Sequence, residues 1–313
     1  MHVLMTGATG LIGRAVCGAL TARGDTVTAV SRTPEPAGKL LAGIRVVLGD
    51  PARPGPWQRE LASADACVHL AGESLAEGRW TEEKKRRIHD SRVRSTENVA
   101  AVVRERGPTV LVSASAVGFY GSRGDEVLDE TCSPGDDFVA RLCVEWEAAA
   151  APAQARARVV LLRTGLVLAR DGGALPRLVL PFRLFAGGPL GDGAFWQPWI
   201  HLADEVGLVL LALDDARAVG PLNAAGPEPV RNRELARAIG RALGRPSLVR
   251  TPAVALSLAL GELSTAVLAS QRVLPRKAAA LGYRFRFPAV DGALDDLLHE
   301  PPRMGSRSGE DRV

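Results

Sequence analysis

The stretch HVLMTGATGLIGRAVCGALTARGDTVTAVSR, residues 2–32, changes its hydrophobic period twice. A short apolar run at residues 2–5 leads into glycines, Ile12, Val16 and Leu20 recur at helical spacing, and TVTAV at 26–30 reads again as strand. That order predicts a β-α-β unit. Its glycines, Gly7, Gly10 and Gly13, form T-G-x-x-G-x-x-G between the first strand and the first helix. Glycine lets backbone approach a pyrophosphate closely, and a helix N-terminus offers it free N–H groups and the positive end of a dipole. A glycine pattern alone is weak evidence. Here it follows a strand, opens a helix and precedes a second strand, which makes a dinucleotide site the expectation, with Gly13 serving helix packing.

The end of the second strand selects the dinucleotide. An acidic residue there would accept from a ribose 2′-hydroxyl, but the chain presents Ser31-Arg32, and a guanidinium pairs with a 2′-phosphate. NADP is the expected cofactor. IRVVLGD, 44–50, reads as a third strand ending at Asp50, and ADACVHLAGES, 64–74, as a buried fourth strand ending in Leu70-Ala71-Gly72. Small residues at that end line the crevice where open α/β sheets bind ligands. His69, between Val68 and Leu70, reads as a core histidine, and no metal is expected.

A chain of 313 residues, 46% hydrophobic and 24% charged, can bury a full core. Its net charge is only +4, and the densest basic run, EEKKRRIHDSRVRS at 82–95, begins with acids and has helical spacing, as a solvated helix face does. No aromatics interleave with it, so no nucleic-acid partner is expected. Cys17, Cys67, Cys132 and Cys143 are scattered, without a C-x-x-C pair, which suits a reducing, cytoplasmic compartment. The N-terminus lacks the pattern of a secretory signal. TPAVALSLALGELSTAVLAS, 251–270, is interrupted by Pro252 and Gly261-Glu262 and reads as a buried helix; no membrane partner is expected.

Taken in order, LAGES, DSRVRST, SASAVGFYG, DFVARLCVEWEAAA, LRTGLVLARDGGAL, LPFRLFAGGPLGDG, PWIHLADEV and RVLPRKAAALGYRF resemble the extended short-chain dehydrogenase/reductases. Within them the chain is similar to the atypical, nucleotide-sugar-epimerase-like members of the NAD-dependent epimerase/dehydratase group, from residue 1 to about 297. The resemblance implies a Rossmann-like α/β fold, a doubly wound parallel sheet with a smaller C-terminal substrate-side subdomain. It also implies NADP contacts from Gly7, Gly10 and the backbone of Thr9, Leu11 and Ile12 at the pyrophosphate and from Ser31 and Arg32 at the 2′-phosphate. Leu70, Ala71 and Gly72 would pass beside the ribose, Arg92 would face the cofactor from a helix, and Val167 would meet the nicotinamide end.

In the general family a tyrosine hydroxyl exchanges a proton with the substrate oxygen, a lysine one helical turn later tunes it, and a serine binds the same oxygen. Ser115 matches the serine. The tyrosine and lysine positions hold Phe138 and Leu142, on a helix that Asp136 or Asp137 would cap. A phenyl ring cannot donate a proton, and a leucine cannot tune one. Tyr120, in the loop five residues after Ser115, is the candidate substitute acid, with Glu73 and Asp137 as other titratable neighbours; Arg141 points to another side of its helix.

Residues 1–168, with 199–225 returning, are expected to form the NADP-binding domain, 169–198 and 226–298 the substrate-side subdomain, and 299–313 a disordered tail. RVVLLRTGLVLA, 158–169, reads as one sixth strand, Asp204 as a helix cap, Trp196, Gln197 and Trp199 as walls of a small pocket, His201 as either cleft-side or structural, and YRFRF, 283–287, as a last strand. Two readings follow: an epimerase-like oxidoreductase on a small carbonyl or hydroxyl substrate, or a catalytically silent NADP(H)-binding sensor or scaffold. A homodimer stays open as the assembly.

Overall fold

The computed structural model describes residues 1–299. Strands β1 (His2–Thr6), β2 (Thr26–Ser31), β3 (Arg45–Leu48), β4 (Ala66–His69) and β5 (Val110–Ala116) arise from the short apolar runs between turns, as the sequence predicts. The short β6 (Val127–Leu128) follows outside the main sheet, then come β7 (Arg158–Thr164), β8 (Leu166–Ala169), β9 (Gly172–Gly173), β10 (Trp196–Gln197), β11 (Trp199–His201), β12 (Gly220–Ala224), β13 (Val230–Arg231) and β14 (Arg272–Val273). Seven of these make one parallel sheet in the order β12-β7-β5-β4-β1-β2-β3. The chain winds outward one way from β1 and the other way from β4. The switch point between them is where a crevice opens at the carboxyl ends of the strands.

Helices cover both faces, so the central strands read as continuous apolar runs. On one face α1 (Leu11–Ala22) packs beside α7 (Leu202–Asp214), burying Val16, Leu20 and Val209 with Val3 and Met5 of β1. On the other face α3 (Trp57–Ala62) and α4 (Glu82–Glu105) bury Trp57, Leu61 and Val103 against Leu4 and Leu111, and α5 (Phe138–Ala150) packs along α4. α2 (Pro34–Leu40) lies beside β3. A second core joins α6 (Leu175–Arg183), α8 (Asn232–Leu243) and α12 (Val290–Leu298) to β8; α9 (Ala253–Leu260), α10 (Leu263–Val267) and α11 (Arg276–Ala280) complete the C-terminal part.

Four sequence expectations change. The run at 158–169 is two strands, because Gly165 turns the chain out of the main sheet; a Cβ there would lie 2.7 Å from the Pro198 carbonyl oxygen. β8 instead pairs with β11 and β9. The cap of α7 is His201, whose Nδ1 accepts from the Ala203 N–H at 3.0 Å. Asp204 is buried one turn inside, accepting from the Arg286 and Phe287 N–H groups at 2.8 and 3.0 Å and from the Tyr283 hydroxyl. Those bonds hold 283–287 as an irregular segment, with Tyr283 edge-on to Phe285, where a strand was expected. Finally, α9 is not buried: each of its residues is exposed or half-buried, since it packs chiefly on α10 and nothing among the described residues covers its outer side. The tail expected at 299–313 lies outside the described residues, apart from His299.

Candidate functional site

At the β1/β4 switch point lies a cavity of about 550 Å³. Its floor is the turn between β1 and α1. Gly7 sits at φ +69°, where a Cβ would meet the Leu70 carbonyl carbon and oxygen at 2.5 Å, so only glycine allows this turn to pass so close to the end of β4. Gly10 is the N-cap of α1 with no side chain over it, leaving the first-turn N–H groups free to face a phosphate. Gly13 does serve packing: its Cβ would stand 2.2 Å from the Gly7 carbonyl oxygen.

Gly7, Thr9, Gly10, Ser31, Arg32, Leu70, Ala71 and Gly72 all line this cavity, as the sequence reading places them. The Ser31 hydroxyl accepts from the Thr33 N–H at 3.2 Å, folding the chain so that Arg32 is exposed at the rim. Among the described residues Arg32 makes no ion pair. Leu11, Ile12 and Val167 are not in the wall: Leu11 packs under Gly172 and Gly173, and Ile12 and Val167 pack against the α1–α7 core. Arg92 lies across Gly72, its guanidinium atoms 3.3–3.4 Å from where a Gly72 Cβ would be, and its Cζ is 5.2 Å from the Trp146 ring. Burial holds that guanidinium below its usual pKa, and its polar contacts are the Ile88 carbonyl and the Ser91 hydroxyl.

The other end of the crevice is closed by side chains. Leu142 is buried with Ile88, Val93 and Trp146, and Phe138 packs edge-on to Trp80 at 5.3 Å, so α5 turns apolar groups toward the positions where the acid/base pair would work. Asp137 caps α5 by accepting from the Ala140 N–H at 2.8 Å. Ser115, 3% exposed, donates to Glu147 Oε1 at 2.6 Å. Glu147 is gripped bidentately by Arg163, both bonds 2.8 Å, and Arg163 also donates to the Tyr120 hydroxyl at 3.0 Å. Tyr120 in turn donates to Asn223 at 2.7 Å. Tyr120 is therefore no loop residue over the crevice: it is fully buried in a 3₁₀ turn at 117–120, and burial pushes its hydroxyl up to about 12. Its hydroxyl is engaged by Asn223 and Arg163.

His69 is a core histidine, 2.7 Å from the Thr6 hydroxyl and 3.1 Å from those of Ser95 and Thr96, neutral because burial pulls it down to about 4. His201 stacks on Phe287 with centroids 3.9 Å apart, a structural role. Trp199 is buried, Gln197 accepts from Asn232, and Trp196 lies between the guanidinium groups of Arg231 and Arg272; none lines a described cavity. Glu73 does line the crevice, held below the usual carboxylate range by the hydrogen bond from Lys84 at 2.8 Å. Among the described residues no group of three His, Cys, Asp or Glu side chains is arranged to hold a metal.

Sequence reasoning missed the wall residues Arg53, Arg87, Asp90 and Arg94, the last three because the basic run reads as a solvated face. That face is indeed laced with ion pairs such as Arg94–Asp90 at 3.1 Å, but one edge of it borders the crevice. It also missed Glu147, Arg163 and Asn223, whose only signal would have been polar residues inside apolar runs, and Glu205. Glu205 is fully buried on α7, accepts from Thr164 at 2.7 Å through Oε1, leaves Oε2 without a partner, and is lifted by burial to about 8.

The model of the NAD dependent epimerase/dehydratase family matches residues 3–225, and that of a domain of unknown function (DUF1731) matches 251–297. The chain is similar to the epimerase family protein SDR39U1 homolog, chloroplastic, of Arabidopsis thaliana, 40% identical over 307 residues that cover 95% of this chain and 87% of that protein. It is 34% identical to the epimerase family protein YfhF of Bacillus subtilis over 302 residues, 95% of this chain and 98% of that one. Among solved structures, human epimerase family protein SDR39U1 (isoform 2) with NADPH superposes with a TM-score of 0.86 at 35% identity, covering 95% of this chain and 99% of the other. By family model, by relatives and by fold, the chain belongs to the NAD dependent epimerase/dehydratase family.

Proposed function

We propose that the protein binds NADP(H) and is an epimerase-like oxidoreductase acting on a small carbonyl or hydroxyl substrate, with Phe138 and Leu142 standing where the usual Tyr-x-x-x-Lys pair would be. The observation that carries the cofactor reading is the glycine turn opening α1 into a cavity whose rim ends in the exposed Arg32. The human relative that superposes on the chain was solved with NADPH, which supports the same choice. The first-turn N–H groups of α1 would hold the pyrophosphate, Ser31 and Arg32 the 2′-phosphate, and Arg92 would supply a cation near the ribose beside Gly72. Bound there, the cofactor provides hydride exchange. Ser115 spends its proton on Glu147, so what its oxygen offers a substrate is lone pairs, suited to orienting a hydroxyl. The absence of disulfides among the described cysteines accords with a reducing compartment such as the cytoplasm.

The test is calorimetric titration with NADPH and NADH. NADPH should bind at least about tenfold more tightly, and Arg32→Ala should erase that preference, a charge-assisted pair being worth roughly 1.5–3 kcal/mol. Equal affinities in the native protein overturn the NADP assignment. The second reading, a silent NADP(H) sensor or scaffold, is favoured by the burial of the Tyr120 hydroxyl and the engagement of Ser115. Screening carbonyl compounds for NADPH consumption separates the two: consumption that Ser115→Ala abolishes supports the enzyme, and tight binding with no consumption supports the sensor.

A further inference from the structure

The apolar run of α9 that its composition would bury lies on the outside, and it is not alone. Leu248 is 83% exposed, Val254 and Leu258 71% each, and Leu184 and Phe185 68% and 59%. The segments that carry them run side by side. The Val249 N–H donates to the Gly187 carbonyl at 3.1 Å and the Thr251 N–H to that of Pro189 at 3.0 Å, so the segment leading into α9 runs beside the segment leaving α6. The Arg245 guanidinium rests 4.3 Å over the Phe185 ring.

Arginines dominate the segment that leads into α9, with Asp192 beside Arg250 and Asp125 in the same adjoining cavity. Between Glu234 and Glu262 the chain has no acidic residue and four arginines, at 237, 241, 245 and 250. Arg241 is taken up by Asp291. Among the described residues Arg183, Arg245 and Arg250 form no ion pair, and all three are exposed between the apolar side chains just named.

We propose that this face seats the protein on an anionic lipid bilayer, with the leucines and Phe185 entering the headgroup boundary and the arginines meeting lipid phosphates. Protruding apolar groups interleaved with unpaired cations are what an interfacial contact requires. A second copy docked two-fold on the same patch would bring these arginines toward their own equivalents. With eight residues α9 is too short to span a bilayer.

The experiment is co-sedimentation of the full chain with vesicles of phosphatidylcholine alone and of phosphatidylcholine with about 30 mol % phosphatidylglycerol, at low and high salt. The chain should pellet with the anionic vesicles and be released by salt. Arg245→Ala with Arg250→Ala should weaken binding on the order of twentyfold, and Leu258→Ser roughly tenfold, while the circular-dichroism melt stays unchanged. Failure to pellet with anionic vesicles overturns the proposal. So does binding that is equal on neutral vesicles and indifferent to the arginines, or a concentration-dependent dimer that Leu258→Ser dissolves while vesicle binding is absent. Capture by an acidic protein in place of lipid overturns it as well.

Discussion

At the β1/β4 end the crevice is made of backbone: the Gly7 turn, the uncapped start of α1 and the small residues closing β4 leave an open cavity of about 550 Å³. At the β5/α5 end the corresponding space is made of side chains, Leu142 and Phe138 in an apolar cluster and Ser115, Glu147, Arg163, Tyr120 and Asn223 in a buried polar chain. A site built from backbone survives most substitutions, because what binds is the N–H group and its direction. A site built from particular side chains loses its chemistry when two residues change, and the freed volume is then packed. Family membership therefore transfers with more force to the first end than to the second.

Four measurements press on that contrast. Arg163→Ala should cost the most, about 4 kcal/mol in denaturant unfolding, because Glu147 is left as an unpaired buried carboxylate; the folded fraction should still bind NADPH within about twofold. A cost under about 1 kcal/mol would mean the polar chain does not hold that end together.

Next comes pH. Burial lifts the Glu205 carboxyl from 4.5 to about 8, so above pH 4.5 the folded chain keeps a proton that the unfolded chain has released. The native state has its full advantage below 4.5 and loses it as pH rises through 8. Between about pH 5 and 8 the wild type should lose roughly 3 kcal/mol more than Glu205→Gln, and parallel curves would show that the carboxyl is not buried as described.

Gly7→Ala tests the open end: forcing a side chain into φ +69° against β4 should lower stability by about 1–3 kcal/mol and NADPH affinity on the order of a hundredfold. Retained affinity would move the pyrophosphate away from this turn. The smallest effect belongs to Tyr120→Phe, about 1 kcal/mol of stability from the bonds to Asn223 and Arg163, with any NADPH consumption unchanged. A loss of turnover at unchanged stability would restore Tyr120 as the acid.

Legibility followed the range of the interactions. The β-α-β unit, the glycine turn at Gly7, Gly10 and Gly13 and the core identity of His69 follow from neighbours within a few residues or from an unbroken apolar run, and they read directly from the chain; the cap of α5 was legible only as Asp136 or Asp137, and the structure selects Asp137. The N-cap of α7 was misread as Asp204 because an aspartate is the usual cap, whereas the packing of 283–287 draws that side chain inward and leaves the cap to His201. The side chains of Leu11 and Ile12 turn under Gly172 and Gly173 and into the core while their backbone opens α1, and Val167 packs against the same core.

What the amino-acid order determined by itself was the glycine turn at the head of α1, the basic end of β2 and the apolar Phe138 and Leu142 on α5, since each is a matter of residue type at a local position. Only the tertiary structure decided that Tyr120 is inside, that Ser115 is bound to Glu147, and that the apolar α9 is outside. Burial is a relation between segments far apart in the chain, Tyr120 with Asn223 and Ser115 with Glu147, and no local pattern carries it.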